Sequence, residues 1–200
     1  MLPDEIQLAL ANETPIENLT IENESLTATD CDSIDFKNVT FKQCRLIGNQ
    51  LQKTYFQDCS FQNCDFSNCN FYDSYFKNCT IKNCKMNGAQ FSESKWKDCS
   101  AEKSLFRYSN FANANWENIT LKECDFSDAF LSDMKMKKVK FSEVNFNKVD
   151  FFHTRLKGID FSDCSIQLIS VSDQYFELKG MKIDLFQAVE IAKILGIEIL

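Results

Sequence analysis

The chain has little of what catalytic, secreted or membrane proteins need. Of its 200 residues one is histidine (His153), two are proline and five are glycine. A lone histidine offers no imidazole pair for a metal or a proton relay, and so few glycines leave no glycine-rich phosphate loop. No apolar run approaches the roughly 18 residues of a membrane span. The start, MLPDEIQLALAN, is acidic and lacks the basic residues of a secretory signal. No Lys or Arg occurs before Lys37 and the formal net charge is -7, which disfavours nucleic-acid binding through bulk basicity. These absences lead to the expectation of a soluble cytoplasmic protein without a cofactor, bound to neither nucleic acid nor membrane.

What is abundant is a beat of five. Nineteen residues are phenylalanine, and in Thr54–Phe76 five of them, Phe56, Phe61, Phe66, Phe71 and Phe76, are evenly spaced. Large apolar residues keep that phase from Ile16 to Met181, which makes 34 units without an inserted residue. Five is the period of neither a helix nor a plain strand, so the chain is a repeat array. Two places before the beat the residue is mostly Cys, Ser, Ala, Thr, Val or Ile, and nine of the ten cysteines occupy that slot, with Cys31 on the beat itself. Cysteines so placed are small packing groups, reduced and inert, rather than a disulfide framework or metal ligands.

The imperfect beats carry expectations of their own. Ala101 is small where a ring is normal, and the indoles of Trp96 and Trp116 are expected to fill its space. Glu24, Asn49, Gln174 and Lys179 occupy slots meant for small residues. Residues 1–15 precede the array, and Leu2, Ile6 and Leu10 recur on one face of an expected capping helix. After residue 183 the pattern becomes helical, with Asp184 as N-cap and Gly196 at the C-terminus. There the polar residues Gln187, Glu190 and Lys193 form one narrow stripe and the rest is apolar. A helix lying on the end of a rod needs an apolar face only about 100° wide. This one is wider, so a second copy of the chain is expected to cover part of it. The divisions are thus a cap at 1–15, an array at 16–183 and a terminal helix with a short tail at 184–200.

The array resembles the pentapeptide repeat family, whose unit is small–polar–Leu/Phe–polar–polar. That resemblance implies an all-β solenoid, a right-handed quadrilateral β-helix with four units to a turn. Coils about 4.8 Å apart then give roughly eight and a half turns without loop insertions, a rod on the order of 40 Å long. Folding the array this way defines four faces, centred on Ile16 (face one), Ile21 (two), Leu26 (three) and Cys31 (four) and every twentieth residue after each. Face four carries Asp30, Asp32, Asp73, Glu93, Asp133, Asp150 and Asp173 against one base, Lys53. Face one is basic, with Lys95, Lys97, Lys135, Lys137, Lys138 and Arg155 among its cations. An acidic strip along a rigid rod attracts a basic groove.

The segment Lys179–Ala188, followed by Leu195-Gly196-Ile197, is similar to the C-terminal dimerising segment of the Qnr-type quinolone-resistance group. This likeness implies a homodimer held through Leu185, Phe186, Val189, Ala192, Leu195, Ile197 and Ile199. It also implies an acidic rod that mimics DNA, occupies the DNA saddle of DNA gyrase or topoisomerase IV and confers antibiotic resistance. Two features depart from the group: no loop bulges from the coils, and the acid lies on one face beside a basic one. The alternative is a structural or interaction module with an unrelated partner and no DNA mimicry. The five-residue phase excludes the acyltransferase solenoids, which use six, and nothing else in the chain builds a catalytic site.

Overall fold

The computed structural model describes residues 2–199. It is a four-sided β-solenoid with a helix at each end, the expected fold class. Parallel pairing joins residues twenty apart, as in Ile16 with Phe36, Phe36 with Phe56 and Trp96 with Trp116. Faces one and two form a twelve-stranded parallel sheet. On most of faces three and four the coils meet through single bridges, such as Gln50–Asn70 and Asp65–Lys85. There the chain bends through tight turns, as where the Ser74 N–H donates to the Phe71 carbonyl at 3.2 Å.

The beat residues and the small slots both point inward. Phe56, Phe76, Cys69 and Cys79 are completely buried, and all ten cysteines are free. In-register stacking lays identical rings over each other. Phe41 and Phe61 are 5.1 Å apart and coplanar, and Phe71 and Phe91 are 4.9 Å apart within 2°. Rings of adjoining faces meet edge-on, as Phe36 does Phe41 at 65°. Each such pair adds about 0.5–1.5 kcal/mol beyond the burial of its area.

A four-sided coil must turn sharply every five residues, and the backbone does so in the left-handed region. From Asn18 to Gly158, every residue two places after a beat has positive φ, for example Asn63 at 54°, Asp73 at 52° and Gly88 at 68°. Asn, Asp and Gly tolerate that conformation, whereas a side chain branched or extended from Cβ is strained by about 1–2 kcal/mol. The abundance of Asn and Asp is therefore a backbone requirement. At Gly88 a Cβ would also stand 2.4 Å from Asn68 Oδ1.

At the N-terminus, α1 (Leu2–Asn12) covers the open end of the core with Leu2, Ile6 and Ala9. Leu10, expected on that face, is exposed, because after two turns a helix returns at seven residues better than at eight. Asn49 is buried but satisfied: its Oδ1 accepts from Thr29 N–H at 2.8 Å and its Nδ2 donates to Leu26 O at 3.1 Å. Of the other misfit slots, Glu24 is half-buried and Gln174 and Lys179 are exposed, all near the ends.

The C-terminal third corrects two expectations. The regular strands of face one stack through six turns, from Ile16 to Met136, fewer than the expected eight and a half, and single bridges carry the same register on to Ser170. The beat also fails before Met181. Asp150 still pairs with Ser170, but Asp160 pairs with Lys182, so the last coil holds two surplus residues. A short 3-10 turn, Phe176–Leu178, takes them up. Phe176 is left half-exposed, while Ser172 and Glu177 go inside. Glu177 accepts from His153 N–H at 2.9 Å, Ser172 N–H at 3.2 Å and Ser172 Oγ at 3.0 Å. Burial alone raises the pKa of this carboxyl, but the donors outweigh it and hold Glu177 below the usual glutamate value.

One stretch of wall is unzipped. The strands Lys135–Lys137 and Lys140–Ser142 pair with Asn115–Lys122 on one side only. Apart from Met134 N–H, which donates to Thr154 Oγ1 at 2.9 Å, no backbone group of Met134–Phe141 bonds to Thr154–Asp160 of the next coil. Met136, Val139 and Phe141 are partly exposed, where Trp116, Ile119 and Leu121 one coil earlier are buried. Face one supplies a cause: the twenty-residue spacing sets Lys135 over Arg155 and Lys137 over Lys157. Like charges directly opposite on neighbouring strands oppose pairing. A single such rung, Lys77 with Lys97, is tolerated within the regular sheet.

Candidate interaction surfaces

Stacking fills the inside of the rod, so functional groups must lie on its faces and ends. Four of the cysteine thiols are held protonated by burial. Burial pushes the Cys31 and Cys69 thiols up to about 12, and those of Cys124 and Cys164 up to about 11. At neutral pH these groups are thiols, poor nucleophiles and poor metal ligands. Among the described residues no cluster of His, Cys, Asp or Glu suits a metal ion, and no helix is long and apolar enough to cross a membrane.

All seven carboxylates of face four point outward, but they do not form an unbroken row. Asp30 Oδ1 accepts from Asp32 N–H at 3.0 Å, Asp32 Oδ1 from Gln52 N–H at 2.7 Å and Asp150 Oδ1 from Phe152 N–H at 2.9 Å. These three therefore brace local turns as well as carrying charge. Between Asp30 and Asp150 the same edge is occupied by Gln50, Asn70, Gln90, Asn110 and Phe130. The neighbouring edge stacks Lys53, Asp73, Glu93, Asn113, Asp133 and His153, and His153 Nδ1 lies 3.2 Å from Asp133 Oδ1. Asp30 and Asp32 thus share one coil, Asp73 and Glu93 stand on adjacent middle coils, and Asp133, Asp150 and Asp173 fall on three successive coils.

Face one shows the opposite sign. Glu117 is its acid among the central lysines, 3.1 Å from Lys137 and 4.0 Å from Lys97. Its bond to Lys137 holds its carboxyl below the usual range. Such exposed pairs contribute little to stability. Among the described residues Lys135, Lys138, Arg155 and Lys157 form no ion pair within 4 Å, although Lys138 also helps to depress the Glu117 carboxyl.

The C-terminal element is seated by a residue that the sequence pattern had placed among the outer polar stripe. Gln187 is buried, and its Nε2 donates to Phe161 O at 2.8 Å and Cys164 O at 2.6 Å. It also forms a reciprocal cap with Asp184: Gln187 N–H donates to Asp184 Oδ1 at 2.7 Å, and Asp184 N–H to Gln187 Oε1 at 2.9 Å. The helix α2 (Gln187–Ile194) follows, packed on the last coil through Ile191 and Ile194. It closes at Gly196 (φ +76°), with Ile197 N–H donating to Ala192 O and Gly196 N–H to Lys193 O.

Seated this way, the element presents its other apolar residues to solvent. Leu185 is 81% and Phe186 83% exposed, and Val189, Leu195, Ile197 and Ile199 are also exposed. Ala192 is half-buried. So many large apolar groups bared together on one short element exceed the scattered exposure normal for a monomer.

A four-sided parallel solenoid, wound in five-residue units and bearing its polar chemistry outside, defines a class of β-helical repeat proteins. Residues 54–131 match the family described as pentapeptide repeat region, and residues 20–80 match that described as pentapeptide repeats in nine copies. The chain belongs to the pentapeptide repeat proteins. Its fold is similar to that of trypsin-treated QnrB1, a plasmid-mediated fluoroquinolone resistance protein. The TM-score is 0.51 and identity 20%, over 94% of this chain and 100% of that one. A second trypsin-treated QnrB1 structure gives a TM-score of 0.42 at 21% identity, over 93% and 100% of the two chains. HetL of Nostoc sp. strain PCC 7120, involved in heterocyst differentiation regulation, gives 0.29 at 9% identity, over 90% and 93%. No curated protein matches by sequence.

Proposed function

We infer that this protein is a non-enzymatic, dimeric binding rod of the Qnr kind. Two copies join through the exposed residues of the C-terminal element, and the acidic face four engages the DNA-binding saddle of a type II topoisomerase, DNA gyrase or topoisomerase IV. The observation that carries this reading is the outward carboxylate set on face four of a rigid rod, with Asp73 and Glu93 on adjacent coils at its middle. A fixed array of one sign on a stiff scaffold steers a basic groove without paying to order flexible side chains into a strip. By this reading the protein works in the cytoplasm and shields the topoisomerase from its inhibitors.

The test is a supercoiling assay with purified gyrase, with and without a fluoroquinolone. Added protein is expected to inhibit supercoiling or to rescue it from the drug, and the absence of both effects would remove the topoisomerase from the reading. For the dimer, a chain ending at Ile183 is expected to run as a monomer on size measurement. Unchanged dimer size would refute the role given to Leu185, Phe186 and their neighbours.

The second reading, an interaction module with an unrelated partner, is favoured by a specific observation. The amides of Gln50, Asn70, Gln90 and Asn110 separate Asp30 from Asp150, and Asn70 Nδ2 is bonded to Gln50 Oε1 at 2.9 Å. A ladder of amides offers hydrogen bonds rather than charge. Partner binding that is insensitive to salt would support this reading over the first.

A further inference from the structure

We propose that the unzipped wall on face one is a strand-accepting site that takes an extended acidic segment of another polypeptide. Four observations meet there. Regular coils direct the N–H groups of a beat residue and of the residue two places later at the next coil. They direct the carbonyls of the beat residue and the residue two places earlier the same way. At the seventh rung these are Met136 N–H, Lys138 N–H, Met134 O and Met136 O, and none has a hydrogen-bond partner. Beside them a cleft of about 410 Å3 opens between Asp133, Met134, Lys135, Met136, His153 and Arg155. Its floor is apolar, since Met136 is partly exposed and Met134 nearly buried. Lys135 and Arg155 line it, Lys137 and Lys138 follow on one coil and Lys157 on the next, and the adjoining acids are Glu117, bound to Lys137, and Asp133, beside His153.

An extended peptide answers all four features together. Its backbone supplies alternating acceptors and donors to the open edge, as in strand addition. One side chain of the alternation points in over Met136, and its neighbours point out beside the lysines. Acidic residues at those outer positions also relieve the repulsion of Lys135 with Arg155 and of Lys137 with Lys157. A nucleic acid or a free phosphate meets the cations but leaves the carbonyls of Met134 and Met136 unpaired and the apolar floor bare. The chemistry therefore favours a peptide. The site is distinct from face four and does not rest on the topoisomerase reading.

Hydrogen exchange on the full chain, alone and with a labelled peptide of alternating Glu and Val, tests the proposal. In the free protein the amides of Met136 and Lys138 are expected to exchange at least a hundredfold faster than those of Trp116 and Asn118, their counterparts one coil earlier. The peptide is expected to slow both, and an N-methylated peptide of the same charge to bind at least tenfold more weakly. The double variant Lys135→Glu, Arg155→Glu is expected to lose peptide binding while keeping the far-ultraviolet spectrum of the parent. Equal protection of the two coils in the free protein would overturn the proposal. So would equal binding of the methylated peptide, or binding of oligothymidylate without binding of the peptide.

Discussion

The coils from Phe36 to Phe126 and those from Met136 to Leu178 are written in the same five-residue unit, yet they are held differently. In the first region aromatic rings stack in register, with Phe56 and Phe76 4.8 Å apart and Phe106 and Phe126 4.6 Å apart. Strands there are paired above and below. In the second, the rings are tilted, as Phe141 is to Phe161 at 57°, a stretch of ladder is open and two surplus residues are folded into the last coil. The lesson is that inward residues set the coil, while outward charge and chain length decide how well one coil closes on the next. Regularity provides stability, and its local loss provides an exposed edge and the buried carboxylate of Glu177.

The largest expected break in this comparison comes from the rings. Phe76 is fully buried between Phe56 and Trp96, so Phe76→Ala is expected to cost about 4 kcal/mol in chemical denaturation. Phe141→Ala removes the same atoms beside a loosened wall, and about 2 kcal/mol is expected. Equal losses would contradict the claim that the two regions are packed differently.

Next in size is Glu177. Removing its carboxylate leaves three donors without an acceptor, and Glu177→Ala is expected to cost about 2–3 kcal/mol, read from the midpoint of denaturation. The sign of its pH effect follows from its depressed pKa. The stabilisation is complete above the ordinary glutamate value of 4.5 and is lost as pH falls through the lower folded value. Exchange-resolved mass spectrometry is therefore expected to show residues 170–182 opening in acid before the middle coils do. In Glu177→Gln that early acid opening is expected to disappear.

The smallest effect sharpens the regular region. Lys103 stands at φ 50° where most coils place Asn, Asp or Gly. Lys103→Asn is expected to raise stability by about 0.5–1 kcal/mol, while Asn63→Ala, at φ 54°, is expected to lower it by about 1 kcal/mol. Thermal midpoints moving the other way would show that the corner conformation does not govern which residues stand there.

Much of this was legible in the sequence because an inward large residue every five positions admits few other structures. The phase alone placed the beat residues from Phe36 to Leu131 and nine of the ten cysteines inside. The corners were legible too, since Asn and Asp recur two places after the beat, but polar residues in an outward slot read simply as solvent-facing. The surplus in the last coil was hidden by coincidence: Phe176 and Met181 keep the five-residue phase in sequence while the structure has already abandoned it. Gln187 misled for a related reason. Its helical position matches Glu190 and Lys193, but the carbonyls of Phe161 and Cys164 draw its amide inward. The outward acids and the exposed apolar end could be named from the repeat. The open wall could not, because it depends on which charges stack twenty residues apart and on how the following coil responds.

The central claim is that this rod acts through its outside, by presenting fixed charge to a groove that otherwise holds DNA. Competition measures it most directly: purified gyrase bound to labelled duplex DNA, titrated with the protein at low and at moderate salt. The account predicts displacement of the DNA, weakening as ionic strength rises and weakened strongly by Asp73→Asn with Glu93→Gln. Gyrase that binds the protein and DNA together, or displacement unchanged in that double variant, would contradict it.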